Sequence, residues 1–139
     1  MYNFEHKIMD WKYVCLVGLG KHSKNKLIPA IKKSNLKLHS VVTSKTIDKK
    51  ENYITFKNLN SAINNIPNQT LFIIATPPDI HYKQAKEILE AGFDLMIEKP
   101  AFLKLNELIQ IQNICNKNKT VMAEMFMYFY SESFKIFSD

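Results

Sequence analysis

Tyr13-Val14-Cys15-Leu16-Val17-Gly18-Leu19-Gly20 decides how the 139-residue chain is read. A short, branched, apolar run that ends in a glycine pair is the pattern of a buried parallel strand entering a tight turn. A helical pattern follows at once, with Leu27, Ile28 and Ile31 on one face. Strand, Gly-x-Gly turn and helix make a cradle for a diphosphate. Glycine lets the backbone come close, and free amides at the helix start face the negative charge. Ser23 stands where a third glycine would complete Gly-x-Gly-x-x-Gly. On these residues alone an ordinary strand-to-helix turn explains the pattern equally well, so the rest of the chain has to decide.

Outward from this stretch, strand one spans Lys12 to Val17 and a first helix Ser23 to Lys33. Pro29 falls inside that helix, where it removes a backbone donor and should bend it. Leu36 to Thr43 reads as strand two, Ser44 to Asn52 as a polar loop and Tyr53 to Phe56 as a short strand three. A short helix over Leu59 to Ile66 stops at Pro67. Leu71-Phe72-Ile73-Ile74-Ala75, the most apolar stretch, reads as a central fourth strand halted by Thr76-Pro77-Pro78-Asp79. The next helix, Ile80 to Ala91, turns Ala85, Ile88 and Leu89 inward and ends at Gly92. Asp94 to Ile97 is strand five and leads into Glu98-Lys99-Pro100. A helix over Leu105 to Asn118, with Leu108, Ile111, Ile114 and Cys115 inward, precedes strand six over Thr120 to Met127.

This alternation forces right-handed crossovers and a parallel sheet covered on both faces. The expected fold is α/β and doubly wound, a Rossmann fold of strand order 3-2-1-4-5-6, whose ligand crevice lies outside the carboxyl ends of the strands. The loops Gly18–Ser23, Ala75–His81 and Glu98–Pro100 follow strands one, four and five, so all three fall on that edge. Their agreement favours a cofactor site over an ordinary turn.

Composition narrows the function classes. Apolar content of 46% and charged content of 23% fit a globular domain with a real core. No apolar run approaches the roughly 20 residues of a membrane span. Met1 to Asp10 is polar and mixed in charge, without a signal-peptide pattern. Cys15 and Cys115 sit inside apolar patterns and read as buried thiols of a cytoplasmic protein, not as a disulfide or metal pair. The net charge is +6, and all nineteen basic residues are lysine. Scattered lysines without arginine make a solvated surface, not a nucleic-acid face.

Gly18-Leu19-Gly20, Ala75-Thr76-Pro77-Pro78 with His81, and Glu98-Lys99-Pro100 together resemble the glucose–fructose oxidoreductase / inositol dehydrogenase / rhizopine-catabolism (Gfo/Idh/MocA) family. The resemblance covers nearly the whole chain but only the first half of such an enzyme, whose second domain binds substrate. It implies a nicotinamide dinucleotide as cofactor. Gly18 and Gly20 would lie against the pyrophosphate, with Ser23 in the same turn. Thr76, Pro77 and His81 would line the adenosine and diphosphate side. Glu98 and Lys99 would reach the nicotinamide end, where Lys99 would assist proton transfer as the catalytic residue. The Lys99–Pro100 bond would be cis, which would aim the lysine into the cleft.

Two departures bear on these roles. Ser23 in place of glycine should hold the first helix farther from strand one, and the interval from Gly20 to Pro29-Ala30-Ile31 is longer than the commonest spacing. After strand two, Thr43-Ser44-Lys45 replaces the acidic residue that accepts the ribose hydroxyls of NAD. A hydroxyl and a cation suit a 2′-phosphate, so NADP is expected ahead of NAD; the other reading is that Ser44 and Lys45 are only loop residues.

The expected division is an NAD(P)-binding domain over 1–127 and, over 128–139, the start of a truncated second domain. Phe134, Ile136 and Phe137 would then lack a partner surface. That fits a truncated chain, a frame-shifted remnant or a contact within a homo-oligomer. Two functions follow. One is the cofactor half of an oxidoreductase acting on a sugar, polyol or related small molecule, inactive alone. The other is a non-catalytic nucleotide-binding or regulatory module of the same fold.

Overall fold

The computed structural model describes residues 9–47 and 50–126. Strands β1 (Tyr13–Val17), β2 (Lys37–Val42), β3 (Ile54–Phe56), β4 (Thr70–Ile74), β5 (Asp94–Glu98) and β6 (Met122–Met125) form one sheet in the order β3-β2-β1-β4-β5-β6. Every neighbouring pair is parallel. The connections carry α1 (Ile28–Lys33), α2 (Leu59–Ile63), α3 (His81–Glu90) and α4 (Leu105–Asn118). The fold is the doubly wound Rossmann fold that the alternation of elements implies.

Central strands are apolar throughout because both faces are covered. On β1, Cys15 and Val17 join a core with Phe72, Ile74, Leu95 and Ile97 beneath Ala85, Ile88 and Leu89 of α3. Val14 and Leu16 point the other way, into a second core with Ile73, Val41 and the α1 residues Ile28 and Ile31. Successive residues of a strand face opposite sides, so one five-residue strand feeds two cores.

The long interval after Gly20 has a structural answer. Residues Ser23–Leu27 form a π-helical turn that runs directly into α1. Such a turn holds one more residue than an α-helical turn, so the added length is taken up within the helix. Pro29 enters where the π turn gives way to α1, within the first two positions of the α-helical segment. Its missing donor therefore falls at a junction instead of inside a regular ladder.

Several expectations are corrected. The helix after β3 ends at Ile63, three residues before Ile66. In α4 only Ile111 is fully buried; Leu108, Ile114 and Cys115 are half-buried, while Leu105 and Ile109 are exposed. Cys115 is thus not the buried thiol that its pattern implies. Strand six stops at Met125. The second-domain segment 128–139 and residue 127 lie outside the described residues. No helix among the described residues is long and apolar enough to cross a membrane.

Candidate functional site

Parallel pairing fixes which residues leave the sheet together. Val17 is aligned with Val42 on one side and Ile74 on the other, and Ile74 with Ile97. One step further along the chain stand Thr43, Gly18, Ala75 and Glu98. The glycine turn, the Thr-Pro-Pro loop and the Glu-Lys-Pro loop therefore emerge from one row on the carboxyl edge of the sheet.

The glycine turn is shaped by close backbone contact. Gly18 has φ of +99°, a conformation that favours glycine. A Cβ there would lie 2.8 Å from the carbonyl oxygen of Ala75 and 2.9 Å from Cγ2 of Thr76. Gly20 differs: a Cβ on it would meet nothing within 4 Å, so it faces open crevice. This open space, at a helix start whose first amides have no carbonyl one turn earlier, fits a diphosphate.

Ser23 is turned into the protein beneath the glycine turn. It is 1% exposed, and its Oγ donates to the Gly18 carbonyl oxygen at 2.9 Å. The hydroxyl braces the turn from beneath, where a third glycine would have only packed closely.

At the end of β2, Thr43 is buried and its Oγ1 accepts from the Lys45 amide at 3.2 Å. Ser44 and Lys45 are exposed. The Lys45 ammonium donates to the Leu19 carbonyl at 3.3 Å, which places it beside the glycine turn. Lys57 Nζ holds the loop by donating to the carbonyls of Ser44 and Lys45, at 3.4 and 3.1 Å. A cavity of about 730 Å³ opens here, lined among others by Lys24, Lys32, Lys45, Ile47 and Tyr53. Burial, and then the charge of Glu51, push the Tyr53 phenol above its ordinary range.

His81 has an occupation that its spacing does not reveal. The imidazole is 1% exposed, with Nε2 2.8 Å from the Thr76 carbonyl oxygen. Its Nδ1 lies 3.1 Å from the carbonyl oxygens of both Pro100 and Ala101. The ring is turned inward and ties two loops together, instead of lining the crevice as the family pattern implies. Thr76 donates through Oγ1 to Gln84 Oε1, and Pro77 beside it is exposed.

Lys99 is exposed, and the Lys99–Pro100 bond is cis. The loop is anchored further where Glu124 Oε2 accepts from the Ala101 amide at 3.0 Å. Glu98 meets a residue that the sequence reading left unassigned: His22 Nε2 lies 2.6 Å from Glu98 Oε1. His22, Gln84 and Glu124 were missed because their partners are remote in sequence or outside any motif. The signal available for His22 was its position directly after the glycine turn.

The sequence of residues 12–126 matches the model of the Gfo/Idh/MocA oxidoreductase family, NAD-binding Rossmann fold. The chain belongs to this family. An uncharacterized oxidoreductase of Synechocystis is 28% identical over 74 residues, which is 53% of this chain and 20% of that protein. Among solved structures, D-galactose-1-dehydrogenase of Rhizobium etli matches with a TM-score of 0.82 and 20% identity, over 94% of this chain and 42% of that one. The WlbA dehydrogenase of Chromobacterium violaceum, solved with NADH and UDP-GlcNAcA, matches with a TM-score of 0.79 and 20% identity, over 91% of this chain and 38% of that one. These structures share the fold, and the chain spans less than half the length of each. As a Gfo/Idh/MocA chain it carries the NAD-binding domain of an oxidoreductase family.

Proposed function

We propose that this chain is the NADP(H)-binding part of an oxidoreductase that moves a hydride between a nicotinamide and a sugar, polyol or related substrate. The observation that supports this most is the single row that Gly18, Ala75 and Glu98 form at the carboxyl edge of the sheet. It gathers one phosphate-binding turn and two loops at the switch point where dinucleotides bind in such sheets.

The bound dinucleotide supplies the hydride donor or acceptor. The chain's own residues do the rest. Gly20 leaves room for the diphosphate, and Gly18 keeps the turn tight against Ala75. Thr43, Ser44 and Lys45 take the adenosine ribose, with Thr76 and Pro77 on the crevice wall. His81 acts from below, positioning the Glu98–Pro100 loop through its contacts to Thr76, Pro100 and Ala101. Glu98 and Lys99 serve the nicotinamide end, and Lys99 is the catalytic residue, its Nζ passing a proton to or from the substrate oxygen.

Preference for NADP rests on charge. The residues directly after β2, Thr43-Ser44-Lys45, include no carboxylate, and Lys24, Lys32 and Lys45 line one cavity beside that strand end, where Glu51 is the single carboxylate against three lysines. Ammonium groups there favour a 2′-phosphate. The sugar class draws on the galactose dehydrogenase and the nucleotide-sugar complex among the structural neighbours. Calorimetric titration with NADPH and NADH tests the cofactor reading. Tighter NADPH binding, shifted toward NADH by Lys45→Asp, is expected; equal affinities or tighter NADH would refute the 2′-phosphate site.

A further inference from the structure

The His22–Glu98 contact lies in an unusual place. His22 lies in the first helical residues after the glycine turn of β1, and Glu98 closes β5. These strands are not neighbours, because β4 stands between them. Strands in a sheet are about 4.8 Å apart, so two spacings, ~10 Å in total, separate β1 from β5. The imidazole and the carboxylate therefore reach toward each other over the end of β4 and meet at 2.6 Å.

On the dinucleotide reading, a diphosphate held at Gly18–Gly20 would leave the nicotinamide end to run past Ala75 and Thr76 toward Lys99, across the span that His22 and Glu98 bridge. We propose that His22 is a further residue of the cofactor site, clasping Glu98 so that the nicotinamide half seats only when this contact opens. The inference rests on the dinucleotide reading above. The contact is solvent-accessible, with side-chain exposures of 46% for His22 and 21% for Glu98. An exposed pair of this kind is weak, so the clasp opens readily and selects for ligands that displace it. Its effect follows population arithmetic: the apparent dissociation constant rises by the inverse of the open fraction. The adenosine half, bound beside Lys45, does not enter the span and is indifferent to the clasp.

The test compares two ligands on the full 139-residue chain. NADPH and 2′-phospho-ADP, which lacks the nicotinamide and its ribose, are titrated calorimetrically into wild type, His22→Ala and His22→Gln. His22→Ala should bind NADPH about two- to fivefold more tightly, the range set by an exposed pair. Its affinity for 2′-phospho-ADP should not change. The His22→Gln amide still reaches Glu98, so that variant should stay near wild type for both ligands. Melting curves establish that the exposed substitutions leave the fold intact. An NADPH affinity that His22→Ala leaves unchanged or lowers would overturn the clasp, as would an equal gain for both ligands. A wild-type chain that binds neither ligand would overturn the cofactor reading itself and the clasp with it.

Discussion

The imidazole of His81 joins the Thr76 carbonyl oxygen, 2.8 Å from Nε2, to the chain beyond the cis Lys99–Pro100 bond. One buried side chain thus sets two of the three site loops against each other. His81→Ala would remove the buried imidazole that meets the carbonyl oxygens of Thr76, Pro100 and Ala101. The expected loss is about 2–4 kcal/mol of stability, read from urea denaturation. His81→Gln, which can still donate, should lose less. A loss below about 0.5 kcal/mol for His81→Ala would show that the imidazole does not hold the loops.

Gly18 and Gly20 separate structure from binding. Gly18→Ala places a methyl 2.8 Å from the Ala75 carbonyl oxygen at a φ of +99°, so it should destabilise the fold by about 1–3 kcal/mol. Gly20→Ala meets open space, and stability should stay within about 0.5 kcal/mol of wild type. Its methyl would instead enter the diphosphate site and weaken NADPH binding by roughly tenfold or more. Thermal melts paired with cofactor titration distinguish the two glycines. Loss of stability without loss of affinity in Gly20→Ala would contradict the assignment.

Ser23 offers a stability test of the departure from Gly-x-Gly-x-x-Gly. Its Oγ bond to the Gly18 carbonyl oxygen is removed in both Ser23→Ala and Ser23→Gly. Ser23→Ala should cost about 1 kcal/mol, and Ser23→Gly about 1 kcal/mol more because glycine weakens a helix. If the glycine variant proved more stable than wild type, the serine would be no brace for the turn.

Cys15 makes a pH prediction. Burial pushes its thiol from 9.0 up to about 12. The folded chain therefore holds this proton more tightly than the unfolded chain. The resulting stability is fully present below pH 9 and is lost as pH rises from 9 toward 12. Because the thiolate is the reactive form, Cys15 should resist alkylation at pH 8 in the native protein while half-buried Cys115 reacts faster. Mass spectrometry after a timed iodoacetamide pulse checks the order. Faster labelling at Cys15 would contradict its burial.

Much of the fold was legible because periodicity and topology are local signals. The run from Tyr13 to Val17 is apolar on both faces, and only a covered parallel strand needs that. Loops that follow strands one, four and five must share an edge once the order is known. The side-chain wiring of the site was not legible in the same way. His22 and Glu98 stand 76 positions apart, and nothing periodic links them. His81 sits at a family position yet faces inward, because the carbonyls it serves belong to a loop nineteen and twenty residues further on. The spacing after Gly20 showed an irregularity but not its form, since a π-helical turn and a looser loop absorb the same residue. In α4 the apolar residues span too wide an arc for one face to bury, so the pattern over-assigned its core.

If the carboxyl edge of the sheet binds a nicotinamide dinucleotide through the loops after β1, β2, β4 and β5, titration of the ¹⁵N-labelled chain with NADPH will show it in the amide chemical shifts. The largest changes are expected at Gly18–Ser23, at Ser44 and Lys45, at Thr76, and at Glu98 and Lys99, with the β-strand amides at the opposite edge unmoved. Shifts confined to residues away from these loops, or no shifts at millimolar NADPH, would contradict binding at this edge.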